Sequence, residues 1–204
     1  MTTYELENVK NIYEQISSEF DVTRTYKWSW IENYLDSLPE NSFICDIGCG
    51  NGRNMVSTQH RFIGVDNCVG FINICKRKKL NVIESDMTNI KLKSNSIEHI
   101  ICIASFHHLS NKENRIKSLH EMKRLLKDNN STILLSVWSI DQPKKTRVIF
   151  EKYGDTMVSW KNKHDRYYYI FQIDEIKELF KEVGLRIQKH IYDCGNEIFI
   201  LENS

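Results

Sequence analysis

Apolar residues near the start of the chain recur at intervals of three and four positions. This spacing places them on one face of a helix, so it predicts an amphipathic helix over residues 4–20. A second helix is predicted over residues 29–38, and the segment between the two, which has no clean period, is predicted to be a loop. The apolar positions of the first helix are Leu6, Val9, Ile12, Tyr13, Ile16 and Phe20.

After Pro39, short β-rich segments alternate with longer helical ones. Because consecutive parallel strands need a crossover connection, usually a helix, this alternation predicts a parallel sheet with helices on both faces. The predicted strands are 42–47, 62–65, 81–83, 97–104 and 132–138, and the predicted helices between them are 51–58, 69–79 and 112–127.

The C-terminal part follows a different pattern. A helix is predicted over 174–183, Gly184 suits its C-terminal cap, and two strands follow that meet at Asp193-Cys194-Gly195-Asn196. Together these patterns predict one α/β domain over residues 1–204, with a doubly wound, mostly parallel, Rossmann-like sheet of seven strands and an antiparallel C-terminal hairpin. This arrangement resembles the class I methyltransferase fold.

Composition sets limits on the function. The 204 residues carry a formal net charge of +1, so any nucleic-acid contact must come from a local basic patch. No segment approaches the roughly 18 apolar residues of a membrane span, and the N-terminus is polar, so we expect a cytoplasmic protein with no membrane segment. The 6 Cys form neither a CxxC pair nor a zinc-site spacing, which indicates buried, reduced thiols.

An acidic residue and three glycines mark the end of the first predicted strand. Asp46 precedes a turn with Gly48, Gly50 and Gly52, and such a turn lets a ligand approach the backbone closely. A dinucleotide-binding turn needs its third glycine at position 53, which is Arg53 here, and Asp46 would repel a pyrophosphate. The turn therefore favours a cationic ligand with an ammonium and a sulfonium over a nicotinamide dinucleotide.

Two more carboxylates follow the next strands. Asp66 ends the second strand, where an acidic residue bonds ribose hydroxyls, and Asp86 with Met87 follows the third, where the pair suits an adenine. Each alone is equally an ordinary strand-end cap, but together they line the crevice in which open α/β sheets bind ligands. The Asp-x-Gly-x-Gly-x-Gly motif also resembles motif I of the S-adenosylmethionine methyltransferases, so we predict S-adenosylmethionine as cofactor. The predicted cofactor-binding residues are Tyr26, Lys27, Asp46, Gly48, Gly50, Asn51, Asp66, Asn67, Asp86, Met87 and Ala104.

His107 and His108 follow the fourth predicted strand, near the point where a methyl group must be delivered. Adjacent histidines also suggest a metal site. Because no carboxylate or Cys lies at ligand spacing nearby, we predict a hydrogen-bonding or helix-capping role and no metal.

Residues 139–170 are predicted to form a substrate lid, and the helices of residues 1–38 are predicted to lie over the same site. The lid combines basic and aromatic residues, which suits single-stranded RNA because bases stack on rings and phosphates bind cations. A solvated lid whose aromatic rings pack on the domain is the alternative. The residues concerned are Lys144, Lys145, Arg147, Phe150, Tyr153, Trp160, Lys161 and Lys163.

Several segments together resemble one family. They are Phe20 with Thr23-Arg24-x-Tyr26-Lys27-Trp28, Asp46-x-Gly48-Cys49-Gly50-Asn51-Gly52, Ile103-Ala104-x-x-His107-His108, Trp138, and Arg166-Tyr167-Tyr168-Tyr169. The chain is similar in these to the eukaryotic-type tRNA wobble-uridine methyltransferases that esterify 5-carboxymethyluridine, and to the methyltransferase domain of the AlkB-homologue tRNA modifier.

The resemblance implies a substrate, a mechanism and a partner. The acceptor carboxylate is already ionised at neutral pH and needs no general base. Arg24 would bind its oxygens, while His107 or His108, Trp138 and Tyr168 would hold the flipped uracil of a tRNA anticodon loop. Family members also work with a small zinc-binding activator protein that pairs along a sheet edge.

Alternatives remain at this stage. Arg24 is equally able to form a salt bridge between the N-terminal helices. A methyltransferase acting on a small-molecule or protein carboxylate would use the same cofactor crevice, and a non-catalytic scaffold subunit would keep the fold without turnover.

Overall fold

The computed structural model describes residues 1–24, 26, 28–57, 59–144 and 148–204, and one seven-stranded sheet organises it. The strands in chain order are β1 (Phe43–Ile47), β2 (Arg61–Asp66), β3 (Val82–Glu84), β4 (His99–Ile103), β5 (Thr132–Trp138), β6 (Gly154–Trp160), β7 (His164–Ile170), β8 (Leu185–Asp193) and β9 (Asn196–Asn203).

The strand order in the main sheet is β3-β2-β1-β4-β5-β9-β8. Strands β1 to β5 pair in parallel, whereas β9 pairs antiparallel with both β5 and β8. The predicted fold, a mostly parallel seven-stranded sheet with an antiparallel C-terminal hairpin, is confirmed.

The helices cover the two faces of this sheet, as a doubly wound fold requires. None of them, within the part of the chain that the structure describes, is both long and apolar enough to cross a membrane. They are α1 (Thr3–Glu5), which continues through a π-helical turn (Leu6–Lys10) into α2 (Asn11–Thr23), then α3 (Ser29–Asp36), α4 (Val69–Arg77), α5 (Lys112–Leu125) and α6 (Ile173–Glu182).

The core lies on both sides of the sheet, and β4 shows why. Ile100 and Cys102 pack into the cluster on one face, and Ile101 and Ile103 pack into the cluster on the other. Successive side chains of a strand point to opposite faces, so a strand covered on both faces needs a continuous apolar sequence. The parallel order then brings the carboxyl ends of β1 to β5 to one edge of the sheet.

The helix predicted over residues 51–58 is wrong. Among the described residues of this range, 51–57, only a short 3₁₀ turn forms, at Arg53–Met55. Gly50 and Gly52 have φ of +53° and +74°, and these left-handed conformations are incompatible with a continuing right-handed helix.

The predicted lid contains a regular element that the sequence pattern did not indicate. Strands β6 and β7 pair antiparallel as a separate two-stranded hairpin, with Val158 opposite Arg166. The turn between them uses Lys161 and Asn162, both with positive φ, rather than a glycine. On β7 the period of two sends Arg166 and Tyr168 toward the N-terminal helix, where both side chains contact Tyr13.

The prediction of buried thiols is confirmed for all but one of the cysteines. Cys194 lies in the exposed turn of the β8–β9 hairpin. The buried thiols are Cys45, Cys49, Cys68, Cys75 and Cys102.

Two carboxylates attach the N-terminal helix to the domain. Glu14 accepts hydrogen bonds from the N–H groups of Val69 and Gly70 at 2.7 and 2.8 Å, in the first turn of α4, where these donors have no helical partner. Glu5 is 3% exposed and accepts from the Ser110 N–H at 2.7 Å. Although burial alone would raise the pKa of Glu14, the bonds from Gly70 and Lys10 hold it below its ordinary value.

We expect Glu14→Ala to loosen α2 from α4. Loss of the two N–H bonds and of the charge at the start of α4 removes about 1 kcal/mol, as for a helix cap. Amide hydrogen exchange in residues 11–23 should then accelerate about fivefold, as followed by mass spectrometry. Glu7→Ala is the matched control, because Glu7 is an exposed carboxylate on the same helical segment; equal protection in the two variants would contradict the assignment.

Candidate active site

A cavity of about 370 Å³ lies at the carboxyl ends of the parallel strands. The N-terminal helical segment covers it, and β7 contributes to its far wall. This is the crevice in which open α/β sheets bind ligands, and its volume is in the range of small-molecule sites. Its wall includes Glu5, Tyr13, Phe20, Arg24, Gly48, Gly50, Asp66, Asp86, His108, Trp138, Arg166 and Tyr168.

The glycine turn after β1 forms one wall of the cavity, and its glycines differ in what surrounds them. A Cβ on Gly48 would lie 2.3 Å from Ser105 Oγ, so this position must stay a glycine for packing. A Cβ on Gly50 would meet nothing within 4 Å. The backbone at Gly50 therefore faces open space, which allows close approach of a ligand.

Asp66, at the end of β2, holds this turn in place. Its Oδ2 accepts from the Gly50 N–H at 2.8 Å, and its Oδ1 accepts from the Cys68 N–H at 2.9 Å. Burial raises the pKa of Asp66 to about 6 in spite of these bonds. Each oxygen keeps a further lone pair for a ligand hydroxyl.

Asp46 is completely buried, and it does not belong to the cavity wall. Neither carboxylate oxygen has a hydrogen-bond partner among the described residues. Burial raises the pKa of Asp46 to about 7, and the nearby charge of Arg53 and the polar side chain of Asn54 oppose that rise only in part. An unpaired carboxylate in this position favours a positive charge in the adjoining cavity.

The residues after β2 and β3 also line the cavity. Asn67, Asp86 and Met87 all belong to its wall. Asp86 Oδ1 accepts from the N–H and the hydroxyl of Thr88, both at 2.8 Å, which fixes the carboxylate. Ala104, which has a positive φ of 51°, lines the cavity after β4.

Asn51 connects the glycine turn to the segment that carries Arg24. Its amide donates to Asp21 Oδ1 at 2.9 Å and to the Arg24 carbonyl at 3.1 Å. Tyr26 reaches the cavity wall but is 88% exposed, and Lys27 lies outside the described residues.

The two histidines occupy different environments. His107 is fully buried away from the cavity wall, and its Nδ1 accepts from the Trp138 N–H at 3.1 Å. His108 lines the cavity, and its Nδ1 donates to the Tyr167 carbonyl at 2.7 Å, so its Nε2 accepts from the Tyr13 hydroxyl at 3.0 Å.

Both rings are therefore neutral and hydrogen-bonded. Burial lowers the pKa of His108 to about 3 and places that of His107 well below its ordinary value. Among the residues that the structure describes, no group of three or more His, Cys, Asp or Glu side chains could hold a metal ion.

Arg24 projects into the cavity beside aromatic rings. Its guanidinium carbon lies 4.9 Å from the Phe20 ring centroid and 5.2 Å from that of Trp160. Across the described ranges, no carboxylate lies within 4.0 Å of it. Among the described residues, Arg24 therefore does not form the salt bridge between the N-terminal helices that was its alternative role.

Comparison with known proteins places this chain in a family. A family model described as a methyltransferase domain matches residues 45–134. The chain is also 33% identical, over 227 aligned residues that cover 98% of each protein, to the tRNA (carboxymethyluridine(34)-5-O)-methyltransferase of Schizosaccharomyces pombe. The chain belongs to this methyltransferase family. It is an S-adenosylmethionine-dependent methyltransferase, and the family predicted from the sequence motifs is confirmed.

Solved structures of methyltransferases share the fold. A S-adenosylmethionine-dependent methyltransferase from Clostridium acetobutylicum has a TM-score of 0.69 at 11% identity, over 94% of this chain and 99% of that one. A chain in the complex between the Trm112 methyltransferase activator and a methyltransferase of Haloferax volcanii has a TM-score of 0.73 at 14% identity, over 95% of this chain and 96% of that one.

The residues that line the cavity without a site role in the sequence analysis include Tyr13, Arg53 and Arg166. Tyr13 was predicted only as part of an apolar helix face, although its hydroxyl could have indicated a polar contact in the site. Arg53 lies with its guanidinium carbon 4.3 Å from the Trp28 ring centroid. Arg166 stood in the Arg-Tyr-Tyr-Tyr match, where one charge next to three aromatic residues could have indicated a buried cation.

The buried Asp46 of this methyltransferase predicts a pH-dependent change in stability. The folded state holds the Asp46 proton up to about pH 7, whereas the unfolded chain releases it near the ordinary pKa of 3.8. Wild-type stability therefore falls as pH rises through this interval, and Asp46→Asn lacks that loss. From pH 5 to pH 8 we expect the variant's free energy of unfolding, relative to wild type, to increase by roughly 2–3 kcal/mol. This corresponds to a relative increase in Tm of about 5–10 °C.

Thermal unfolding by circular dichroism at the two pH values measures this difference. Any effect of the asparagine amide on Tm that does not depend on pH cancels when the Tm difference at pH 5 is subtracted from that at pH 8. Asp36→Asn, at an exposed position, controls for the change in net charge. A variant whose Tm difference from wild type is the same at both pH values would contradict the ionisation of a buried, unpaired Asp46.

Proposed function

We propose that this methyltransferase esterifies the carboxylate of 5-carboxymethyluridine at the wobble position of the tRNA anticodon loop. The name of the Schizosaccharomyces pombe relative supports this substrate. The observation that carries the proposal is the guanidinium of Arg24, which faces the cavity without a carboxylate partner among the described residues, in a site whose lining histidine, His108, is already hydrogen-bonded through both ring nitrogens.

The cofactor is assigned to the strand-end residues. When bound, S-adenosylmethionine supplies an electrophilic methyl group on a sulfonium. Asp66 would accept from the ribose hydroxyls, and Asn67, Asp86 and Met87 would hold the adenine. Gly48, Gly50, Asn51 and Ala104 line the cavity, and a cationic cofactor there would favour the ionised form of the buried Asp46 carboxyl.

The acceptor requires no proton transfer. A carboxylate is ionised at neutral pH, so its oxygen forms the bond to the methyl carbon as the bond from that carbon to sulfur breaks, and no base is consumed. His108 is poorly suited to acid or base work because its Nε2 accepts from Tyr13 and its pKa is lowered by burial to about 3. The residues of the site therefore act by positioning the reacting oxygen.

An aromatic wall suits the uracil ring. Trp138 and Tyr168 stack with ring centroids 4.7 Å apart and an angle of 23° between the planes, and both line the cavity. His107 fixes this wall through its hydrogen bond from the Trp138 N–H. A base extruded from an RNA loop is commonly held by such rings.

A small activator protein is proposed as a partner. Its support is that a structurally similar methyltransferase occurs in a complex with the Trm112 activator. Strands β3 and β8 are the edges of the main sheet, and an edge strand can pair with a strand of another protein. The zinc-binding character of the activator stays a prediction from the family resemblance.

The test is methyl transfer to RNA. Purified protein, with and without a zinc-binding activator, is incubated with labelled S-adenosylmethionine and total tRNA from cells that lack wobble-uridine esterification, and the nucleosides are then identified by mass spectrometry. We expect label in the methyl ester of 5-carboxymethyluridine. Label only in a small molecule or a protein carboxylate, or no transfer under either condition, would contradict the proposal.

Arg24→Ala should lower kcat/KM for this RNA by about 100-fold, because charge-assisted bonds to the carboxylate are lost. Arg61→Ala is the control, since Arg61 lies at the opposite end of the sheet, at the start of β2, and is exposed. Binding of S-adenosylmethionine, measured by calorimetry, should be retained in both variants. Full activity of Arg24→Ala would exclude Arg24 from carboxylate binding.

A further inference from the structure

Arg166 is a buried cation without an anionic partner. Its side chain is on β7, and the residue is 3% exposed. Within the described ranges, no carboxylate lies within 4.0 Å of its guanidinium, although burial of an unpaired charge is strongly unfavourable. A buried guanidinium that lines a ligand cavity is therefore poised for an anionic group of the ligand.

One edge of the Arg166 guanidinium forms a hydrogen bond, and the opposite edge has no hydrogen-bond partner among the described residues. Nη1 donates to the Tyr13 hydroxyl at 3.1 Å. Nε is buried and has no partner among the described residues, and none of their hydrogen bonds uses Nη2. The Nε–H and the adjacent Nη2–H point in parallel, which is the geometry that binds both oxygens of a carboxylate.

Aromatic rings enclose the same group. The guanidinium carbon lies 5.1 Å from the Trp160 ring centroid, 5.3 Å from Tyr168 and 5.5 Å from Tyr13. Arg24 contacts the same Trp160 ring at 5.2 Å. Ring faces stabilise a cation without neutralising its charge. Because the guanidiniums of Arg24 and Arg166 both contact the Trp160 indole, the two positive charges still favour an anion beside them.

Tyr13 determines which way the guanidinium faces. Its hydroxyl proton goes to His108 Nε2, because His108 Nδ1 donates to the Tyr167 carbonyl. The Tyr13 oxygen therefore presents a lone pair to Arg166 Nη1. A chain of bonds from the β7 backbone through His108 and Tyr13 thus fixes the free edge of Arg166.

We propose that Arg166 binds the acceptor carboxylate through its Nε and Nη2 edge, together with Arg24, and that Tyr13 is a positioning residue for it. This inference rests on the proposed function. It gives the site a selectivity: an anionic carboxymethyl group is bound between two cations, whereas a neutral amide of the same shape, and the neutral ester product, are not.

The experiment compares two anticodon stem-loop RNAs that differ in one group. One carries 5-carboxymethyluridine and the other carries 5-carbamoylmethyluridine, its neutral amide, used as a competitive inhibitor. Wild type should bind the acid at least about tenfold more tightly than the amide, because the charge-assisted bonds need the anion. In Arg166→Gln, which keeps Arg24, this preference should fall at least about threefold and kcat/KM for the acid should drop about 100-fold, while amide binding is kept.

Two further variants separate binding from folding. Arg166→Lys keeps the charge but lacks the two-donor edge, so it should restore less than a tenth of the lost kcat/KM. Tyr13→Phe should lower kcat/KM about tenfold and reduce the acid preference, with little change in Tm. Tyr4→Phe is its control, because Tyr4 is an exposed tyrosine on the same N-terminal segment and lies outside the cavity wall.

The outcomes are distinct. Arg166→Gln protein that binds S-adenosylmethionine normally and still prefers the acid overturns the inference. If Arg166→Gln fails to fold, Tyr13→Phe with an unchanged acid preference overturns it instead. If wild type does not methylate the acid RNA at all, the proposed function fails, and the acid-to-amide binding ratio then shows independently whether Arg166 recognises the anion.

Discussion

Unpaired buried charge at the carboxyl edge of the sheet is the constraint on which the rest of this structure depends. Asp46 directly precedes the glycine turn and has no hydrogen-bond partner among the described residues, and Arg166 lines the cavity with no described carboxylate within 4.0 Å of its guanidinium. A ligand in the cavity that carried the opposite charges would make the burial of each group less unfavourable. The fold accepts this destabilisation at a functional site and offsets it with a sheet whose central strand is apolar on both faces.

The N-terminal helix turns this crevice into an enclosed site. Glu5 and Glu14 attach it to the loop before α5 and to the first turn of α4. Once attached, the helix contributes the Tyr13 hydroxyl to Arg166 and ends next to Arg24, whose carbonyl accepts from Asn51 in the glycine turn. The N-terminal helix therefore contacts both the glycine turn and the side of the cavity that carries Arg166. The exclusion of water from the cavity depends on its attachment.

The sequence predicted the parts of this design that depend on short-range pattern. The strands, Asp46, Asp66 and Asp86 follow from apolar runs and their endings, which local sequence encodes. Residues 51–58 were mispredicted because the left-handed glycines override a helical period. The β6–β7 hairpin was missed because Lys161 and Asn162 form its turn without glycine. The bond between Arg166 and Tyr13 joins residues 153 positions apart, and only the folded chain brings them together.

The proposed pair of guanidiniums creates a tension that the geometry must resolve. Methyl transfer to a carboxylate cancels two charges, so a site that stabilises the anion more than the neutral ester slows the chemical step while it strengthens binding. Two features reduce this effect. The low-dielectric aromatic surroundings favour a transition state in which charge disappears. An oriented two-donor edge holds the carboxylate plane while an oxygen lone pair stays directed at the methyl carbon, so the gain from position exceeds the loss from stabilising the anion.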